Sequence, residues 1–438
     1  MSERGLFNGR IGFVLATSAS AVGLGNIWRF PTEAASHGGG SFLLVYLMIV
    51  LIFGLTMMMT EIAIGRKTRK SPIEAYSDLH PKSRFIGIMS SWVPAIILPY
   101  YCVIGGWLVG YLIGYATGMD VAADGTFMDY ASSYWSLVGF LIFASLVTIV
   151  VFKGVSSGIE RISIIFMPVF LILLISLTVY MFTQPGIGDG VAYYFEVHTD
   201  QINGDMLIAA LGQAFFSLSI AMGILITYGS YMDRRESIEN CSMTIVIIDT
   251  AVAVVAGLLI IPIAYQYTGG TMSGGAGLVF ITLPQIFNGM TGGPIVALAF
   301  FIMLTFAALT SAISVSEAVT STVMDSFWTQ RHNAVMIVTI PTLIVGCLIS
   351  LGYGPLDWIE VGGKNLLDIF DYVSNSILMP LVGLFMCILV GHVLGPKLIT
   401  DEIEASGPFR FKTFYNVMIK WVCPVIVAVI LLKSTGLI

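Results

Sequence analysis

Apolar segments long enough to cross a membrane follow one another along almost the whole chain. Of its 438 residues, 57% are hydrophobic and only 11% are charged. A helix needs about 20 apolar residues to cross the hydrocarbon core of a bilayer. The sequence therefore predicts an all-α polytopic membrane protein with eleven transmembrane helices, at 11–36, 41–65, 86–117, 136–153, 160–183, 207–232, 239–268, 295–327, 333–353, 366–394 and 413–434.

The basic residues favour one orientation of these helices. If the N-terminus is cytoplasmic, Lys364 and Lys433 are the only Lys or Arg residues predicted outside, and Arg29 lies within a span. Cytoplasmic loops of membrane proteins are enriched in Lys and Arg. We therefore expect a multi-pass protein of the cell (inner) membrane with its C-terminus outside. No basic stripe that could bind nucleic acid is present.

Two predicted helices carry residues that interrupt a helix. Helix 1 contains SAVGLGN at its centre, and helix 6 contains two serines and Gly223 at mid-membrane. A broken helix is tolerated within a bilayer only where it lines protein or a wet cavity. Breaks at matching places in two five-helix halves indicate an inverted-repeat transporter with its site at the midplane. Glycine and serine as close-packing residues are the alternative explanation of either break alone.

The residues of these helices resemble the neurotransmitter:sodium symporter family. The matching segments are SAVGLGNIWRFP in helix 1, HGGGSFLLVYL and TEIAIGR around helix 2, PYYCVIGGW in helix 3, QAFFSLSIAMG in helix 6, ITLPQIF before helix 8 and FAALTSAIS in helix 8. The resemblance implies a LeuT-type 5+5 inverted repeat with broken helices 1 and 6, and sodium-coupled amino-acid symport by alternating access.

This resemblance also implies the division of the chain. A cytoplasmic segment at 1–10 would precede the first repeat, helices 1–5 at 11–183, and the second repeat, helices 6–10 at 184–394. A loop and helix 11 would follow at 395–438. Most family members have a twelfth helix, and its absence here leaves oligomeric contacts open, with a homodimer as one alternative.

The resemblance implies two sodium sites. The first would use Asn26, Ser217, Asp249 and the backbone of Ala21. The family usually has Asn where this chain has Asp249, and the fixed negative charge predicts transport that does not require chloride. The second site would consist of the carbonyls of Ala19, Val22 and Ala307 with the hydroxyls of Thr310 and Ser311. Considered alone, those hydroxyls would more often bond to the preceding turn of their own helix.

The implied substrate site combines residues of helices 1, 3, 6 and 8. Met222 and Val315 replace bulkier or stiffer residues of leucine-binding relatives, so we expect an aromatic amino acid, with tyrosine as first choice. Branched aliphatic amino acids are the alternative substrates. The predicted substrate contacts are Ser20, Ala21, Leu24, Gly25, Tyr101, Phe216, Ser219, Met222, Ser311 and Val315.

The resemblance implies a gate on each side of this site. Arg29 and Asp371 would form the outer gate, with Phe216 as a lid beneath them. Arg4, Asp325 and Tyr231 would form the inner gate. Glu61 lies within the apolar sequence of helix 2, and we expect it to bond to backbone freed by the break in helix 6.

Other classes of function are less consistent with the sequence. The five histidines lie at span ends or in loops, away from any Ser or Cys nucleophile within a span, so no enzyme active site can be assembled. Paired broken helices favour alternating access over a channel. A non-transporting amino-acid sensor of the same fold is the remaining alternative.

Overall fold

The computed structural model describes residues 6–123, 125–269 and 276–435, which fold into a bundle of helices. Nine continuous helices in these ranges are long and apolar enough to cross a membrane, and a bent pair makes ten. Keeping the predicted numbering, they are helix 1 (Gly9–Ala21 and Gly25–Ser36), helix 2 (Gly40–Thr68), helix 3 (Pro81–Thr117), helix 4 (Tyr134–Phe152), helix 5 (Val155–Met181), helix 7 (Ile238–Thr268), helix 8 (Gly293–Ser326), helix 9 (Arg331–Leu351), helix 10 (Leu366–Val393) and helix 11 (Lys412–Ser434).

The remaining predicted span is helix 6, which is built from two shorter helices. Gly204–Ser217 and Ile224–Ser230 are separated by six non-helical residues, 218–223, and neither helix is long enough to cross a bilayer alone. The chain thus contains both predicted breaks. Short helices at Pro72–Leu79, Thr126–Ser132, Gly188–Phe195, Leu283–Asn288 and Lys397–Glu404 lie between the spans.

The break in helix 1 is a short extended segment. Val22 has an extended backbone, and the two halves of the helix are bent by 49°. A Cβ atom on Gly23 would lie 2.5 Å from Oγ of Ser311, and one on Gly25 would lie 2.8 Å from the ring of Phe216. Glycine is therefore required at both positions because helices 6 and 8 approach the backbone closely.

The break in helix 6 depends on an unusual backbone. Ser219, Ala221 and Gly223 have φ angles of 53°, 64° and 70°. This left-handed conformation is energetically unfavourable for Ser219 and Ala221, which carry a Cβ atom. Oε1 of Glu61 accepts a hydrogen bond of 2.9 Å from the freed N–H of Ala221, which confirms the expected role of this buried carboxyl. Helix 2 thereby holds the unwound segment in place.

Helices 3 and 8 pack against each other through the middle of the bundle, and helix 8 also contacts helices 1 and 5. Following the orientation expected from the basic residues, we call the end of the bundle with residues 66–84 and 397–412 the inner end. The opposite end, with residues 118–133, is the outer end. The two helix breaks lie between these ends, beside helices 3 and 8.

Candidate functional site

A cavity lies where the two helix breaks meet. Its lining includes all ten residues predicted to contact the substrate, contributed by helices 1, 3, 6 and 8. Two further residues line it that the sequence did not suggest, Gly23 and Ile97. Ile97 lies one helical turn before Tyr101 on helix 3, and this spacing is the signal that could have identified it.

Polar groups of this cavity cluster at the break in helix 1. The hydroxyl of Tyr101 lies 3.5 Å from the Leu24 nitrogen, whose N–H points to it. The hydroxyl of Ser311 donates to the carbonyls of Ser20 and Val22, at 3.0 and 3.3 Å. Freed N–H groups and a phenol suit a carboxylate, and freed carbonyls suit an ammonium group or a cation.

The remaining wall of the cavity is mainly apolar, with Ile97, Phe216, Met222 and Val315. Ser20 is an exception, because its hydroxyl is buried and makes no hydrogen bond within the described part of the chain. An unpartnered buried hydroxyl costs free energy unless a ligand satisfies it. The cavity thus combines an apolar wall with the Ser20 hydroxyl, which has no protein partner within the described residues and can bond to a substrate.

Three of the residues predicted for the first sodium site form a buried cluster. Nδ2 of Asn26 donates to Oδ1 of Asp249 at 2.8 Å and to Oγ of Ser217 at 3.1 Å. Ser217 donates to Oδ2 of Asp249 at 2.8 Å. Ala21, the fourth predicted member, lines the adjoining substrate cavity.

The Asn26 amide presents its nitrogen, not its oxygen, to this cluster. Its oxygen accepts a hydrogen bond of 3.1 Å from the Gly23 N–H, so its nitrogen faces the carboxylate. Rotation of the amide by half a turn would present the oxygen to a cation instead. The carboxylate and hydroxyl oxygens beside it are ligands of the hard type that Na⁺ prefers.

Residues predicted for the second sodium site lie between helices 1, 5 and 8. Val22, Ala307 and Thr310 line one narrow space there, and Ser311 reaches across to helix 1 as described above. The hydroxyl of Thr310 donates to the carbonyls of Phe306 and Ala307 in its own helix, at 3.0 and 3.1 Å. Ala19 is buried on helix 1 in the turn before Val22.

At the outer end, the predicted gate residues face each other across a wider vestibule. Arg29 and Asp371 both line it, together with Phe216 and Tyr101 of the cavity below. Within the described residues no direct ion pair joins them: Arg29 pairs with Glu33 at 3.8 Å and lies over the Phe216 ring, while Asp371 accepts from Tyr100 at 3.2 Å. Phe216, the predicted lid, thus lies between the vestibule and the cavity below.

At the inner end, Arg4 lies outside the described residues. Its predicted partner Asp325 accepts a hydrogen bond of 2.8 Å from the N–H of Ser71. Phe7 is buried against the rings of Phe13, Tyr228 and Tyr231, and its N–H donates to the Tyr231 carbonyl at 3.2 Å. The N-terminal segment is thus attached to the inner half of helix 6.

A charged network beside this contact was missed by the sequence analysis. The hydroxyl of Tyr231 donates to Oε1 of Glu317 at 2.8 Å, and Arg331 forms an ion pair with the same buried carboxylate. Arg331 also donates to the Val151 carbonyl at 2.8 Å. The signal available in the sequence was a Glu within apolar helix 8, which requires a partner in the membrane.

The whole chain is similar to proteins of known class. A family model described as the sodium:neurotransmitter symporter family matches residues 4–119 and 119–436. An uncharacterized sodium-dependent transporter of Bacillus subtilis, YhdH, is 29% identical over 98% of this chain and 97% of its own length. The human sodium- and chloride-dependent GABA transporter 2 is 24% identical over 93% of this chain and 76% of its own.

The fold is also similar to a solved one. The crystal structure of MhsT in complex with L-phenylalanine superposes with a TM-score of 0.90 at 33% identity, covering 98% of this chain and all of that chain. The family and the fold expected from the helix motifs are thereby confirmed. This multi-pass, sodium-dependent transporter, which is not an enzyme, belongs to the sodium:neurotransmitter symporter family.

Proposed function

We propose that this protein is a chloride-independent symporter that imports an aromatic amino acid, with tyrosine as first choice. The observation that carries the proposal is the meeting of two broken helices around one cavity, with a buried carboxylate next to it. An amino-acid substrate needs hydrogen-bond donors for its carboxylate and acceptors for its ammonium group. The N–H and carbonyl groups freed at the break in helix 1 offer both.

The chemistry of the cavity supports an aromatic side chain. Phe216 offers a ring face or edge to a substrate ring, and Met222 is an adaptable neighbour in the same wall. The relative MhsT was crystallised with L-phenylalanine, an amino acid of this class. The unpartnered Ser20 hydroxyl favours a substrate that carries its own hydroxyl group, as tyrosine does.

Asp249 supports chloride independence. Its carboxylate is held by Asn26 and Ser217 where the first Na⁺ would bind, so the cation meets a fixed negative charge there. A bound chloride ion would bring a second negative charge into the same low-dielectric region. We therefore infer that chloride has no structural role in this site.

Two sodium ions would couple transport to the gradient. The first would lie beside the substrate carboxylate, so each ligand raises the affinity for the other by the same factor. The second would lie between helices 1 and 8 and would hold these helices together while the outer gate closes. Its ligands would come from Ala19, Val22, Ala307, Thr310 and Ser311. Dissociation of the two ions at the inner end would release the substrate.

Uptake by proteoliposomes tests the proposal. The purified protein is reconstituted, and labelled tyrosine, phenylalanine, tryptophan, leucine and valine are offered with an inward Na⁺ gradient or with none. We expect accumulation of aromatic amino acids only with the gradient. Preference for leucine or valine would favour the aliphatic alternative, and substrate binding without uptake would favour a sensor.

A further inference from the structure

A second cavity lies away from the transport pathway, as an apolar groove between helices 3, 8, 9 and 10. Its volume is about 520 Å³. Trp92 and Pro99 of helix 3 form one wall, Val323 and Val345 of helices 8 and 9 form its floor, and Phe370 of helix 10 closes the other side. Trp92 and Ile337 of this lining are 59% and 48% exposed on transmembrane helices, so the groove opens towards the hydrocarbon region of the membrane.

The chemistry of the groove favours a hydrocarbon chain as its occupant. Thr342 is the one hydroxyl-bearing residue in its lining, and this hydroxyl donates to the Val338 carbonyl of its own helix at 2.8 Å. Along helix 3 the groove extends from Trp92 to Pro99, about 10 Å at 1.5 Å per residue. An acyl chain lying along this length would make van der Waals contacts with the lining residues that an empty groove lacks.

A basic residue on helix 3, about two turns towards the inner end from Trp92, suits a lipid head group. Arg84, Ile88 and Trp92 follow one another at intervals of four residues on one face of helix 3, and all three are exposed. Arg84 has one weak ion pair, to Glu74 at 3.7 Å. A guanidinium at the helix end, with an apolar stripe leading from it into the membrane, matches a phospholipid phosphate and its acyl chain.

The groove lies directly behind the outer gate. Pro99 and Phe370 line the groove, whereas their chain neighbours Tyr100 and Asp371 line the vestibule and are hydrogen-bonded to each other at 3.2 Å. Helices 3 and 10 thus form a wall only one helix thick between the two spaces. An occupant of the groove would support helix 10 where it carries the gate residue.

We propose that this groove binds one acyl chain of a phospholipid from the leaflet nearer the inner end, with its phosphate at Arg84. The lipid packs against the back of the outer-gate segment of helix 10. Binding requires neither substrate nor sodium, so this inference can be tested separately from the proposed transport function.

Native mass spectrometry of the purified full-length protein, titrated with dioleoylphosphatidylglycerol, tests the proposal. Ala95 lines the groove, and Ala95→Phe fills it; Ile172→Phe is the control, because Ile172 is 64% exposed on helix 5, away from the groove. We expect one tightly retained lipid in the parent protein and in the control, and its loss in Ala95→Phe.

A second pair of variants tests the head group without altering the packing. Arg84→Gln should raise the lipid concentration for half-occupancy by about fivefold, and Arg161→Gln, at the exposed inner end of helix 5, should not. Equal lipid retention by Ala95→Phe and Ile172→Phe would overturn the proposal. A shift from dimer to monomer in Ala95→Phe at unchanged lipid retention would also overturn it, because a second copy of the chain would then occupy the groove.

Discussion

Asn26 and Asp249 are joined by a hydrogen bond of 2.8 Å between helices 1 and 7, and Ser217 of helix 6 donates to the second oxygen of the same carboxylate. All three side chains are buried. The carboxylate of Asp249 is therefore the point where the broken helices 1 and 6 meet the continuous helix 7. In the proposed function, the charge of that group determines which ions the site requires.

Removal of this charge should create a requirement for chloride. In Asp249→Ser the cation loses its fixed counter-charge, and a bound anion has to replace it. We expect uptake by this variant to fall about tenfold when gluconate replaces chloride, whereas the parent protein is unaffected. Asp200→Asn, at an exposed position at the outer end, is the control. Equal rates of Asp249→Ser in the two anions would refute the assigned role.

A methyl group on Gly25 should displace the lid of the substrate cavity. The added Cβ would lie 2.8 Å from the Phe216 ring, which has to move. We expect Gly25→Ala to lower the uptake rate on the order of 100-fold at normal protein abundance, because a small misplacement at the site is costly. Gly188→Ala, where no atom lies within 4 Å of the new Cβ, should transport normally.

Ser20 should contribute to discrimination between tyrosine and phenylalanine. Its hydroxyl lines the cavity and is buried without a hydrogen-bond partner among the described residues, so a phenol that reaches it gains a hydrogen bond that phenylalanine cannot make. We expect Ser20→Ala to lower the tyrosine to phenylalanine ratio of uptake efficiency about two- to tenfold. Ser18→Ala is a matched control, since Ser18 also has a buried unpartnered hydroxyl but does not line the cavity. An unchanged ratio in Ser20→Ala would exclude this contact.

Arg331 and Glu317, the ion pair at the inner end, should be coupled in their effect on folding stability. Arg331→Met leaves the fully buried Glu317 without its cation, which should cost about 3–5 kcal/mol of folding free energy. The double variant Arg331→Met with Glu317→Gln should recover most of that loss. Thermal unfolding in detergent measures both. Equal destabilisation by the single and double variants would show that the pair is not coupled.

The sequence was sufficient to predict the features that depend on local chemistry. The predicted helix at 86–117 is observed as Pro81–Thr117, and both breaks were predicted from Gly, Ser and Asn within apolar segments. A bond between Glu61 and the freed backbone of helix 6 was predicted because a carboxyl within an apolar helix needs a partner; the structure identifies the donor as the Ala221 N–H.

Features that depend on packing could not be predicted in this way. Glu317 and Arg331 are separated by the turn between helices 8 and 9, and their pairing requires the relative rotation of the two helices. Ile97 looks like any other apolar residue of helix 3 until Tyr101 is known to face the cavity. The Asn26 amide orientation depends on the Gly23 N–H, which only the unwound backbone makes available.

The initial rate of labelled tyrosine uptake into proteoliposomes with an inward Na⁺ gradient, measured in chloride and in gluconate, tests the proposed transport function most directly. We predict equal, gradient-dependent rates in the two anions. Uptake that stops when chloride is replaced, or no uptake of any aromatic amino acid under the gradient, would contradict it.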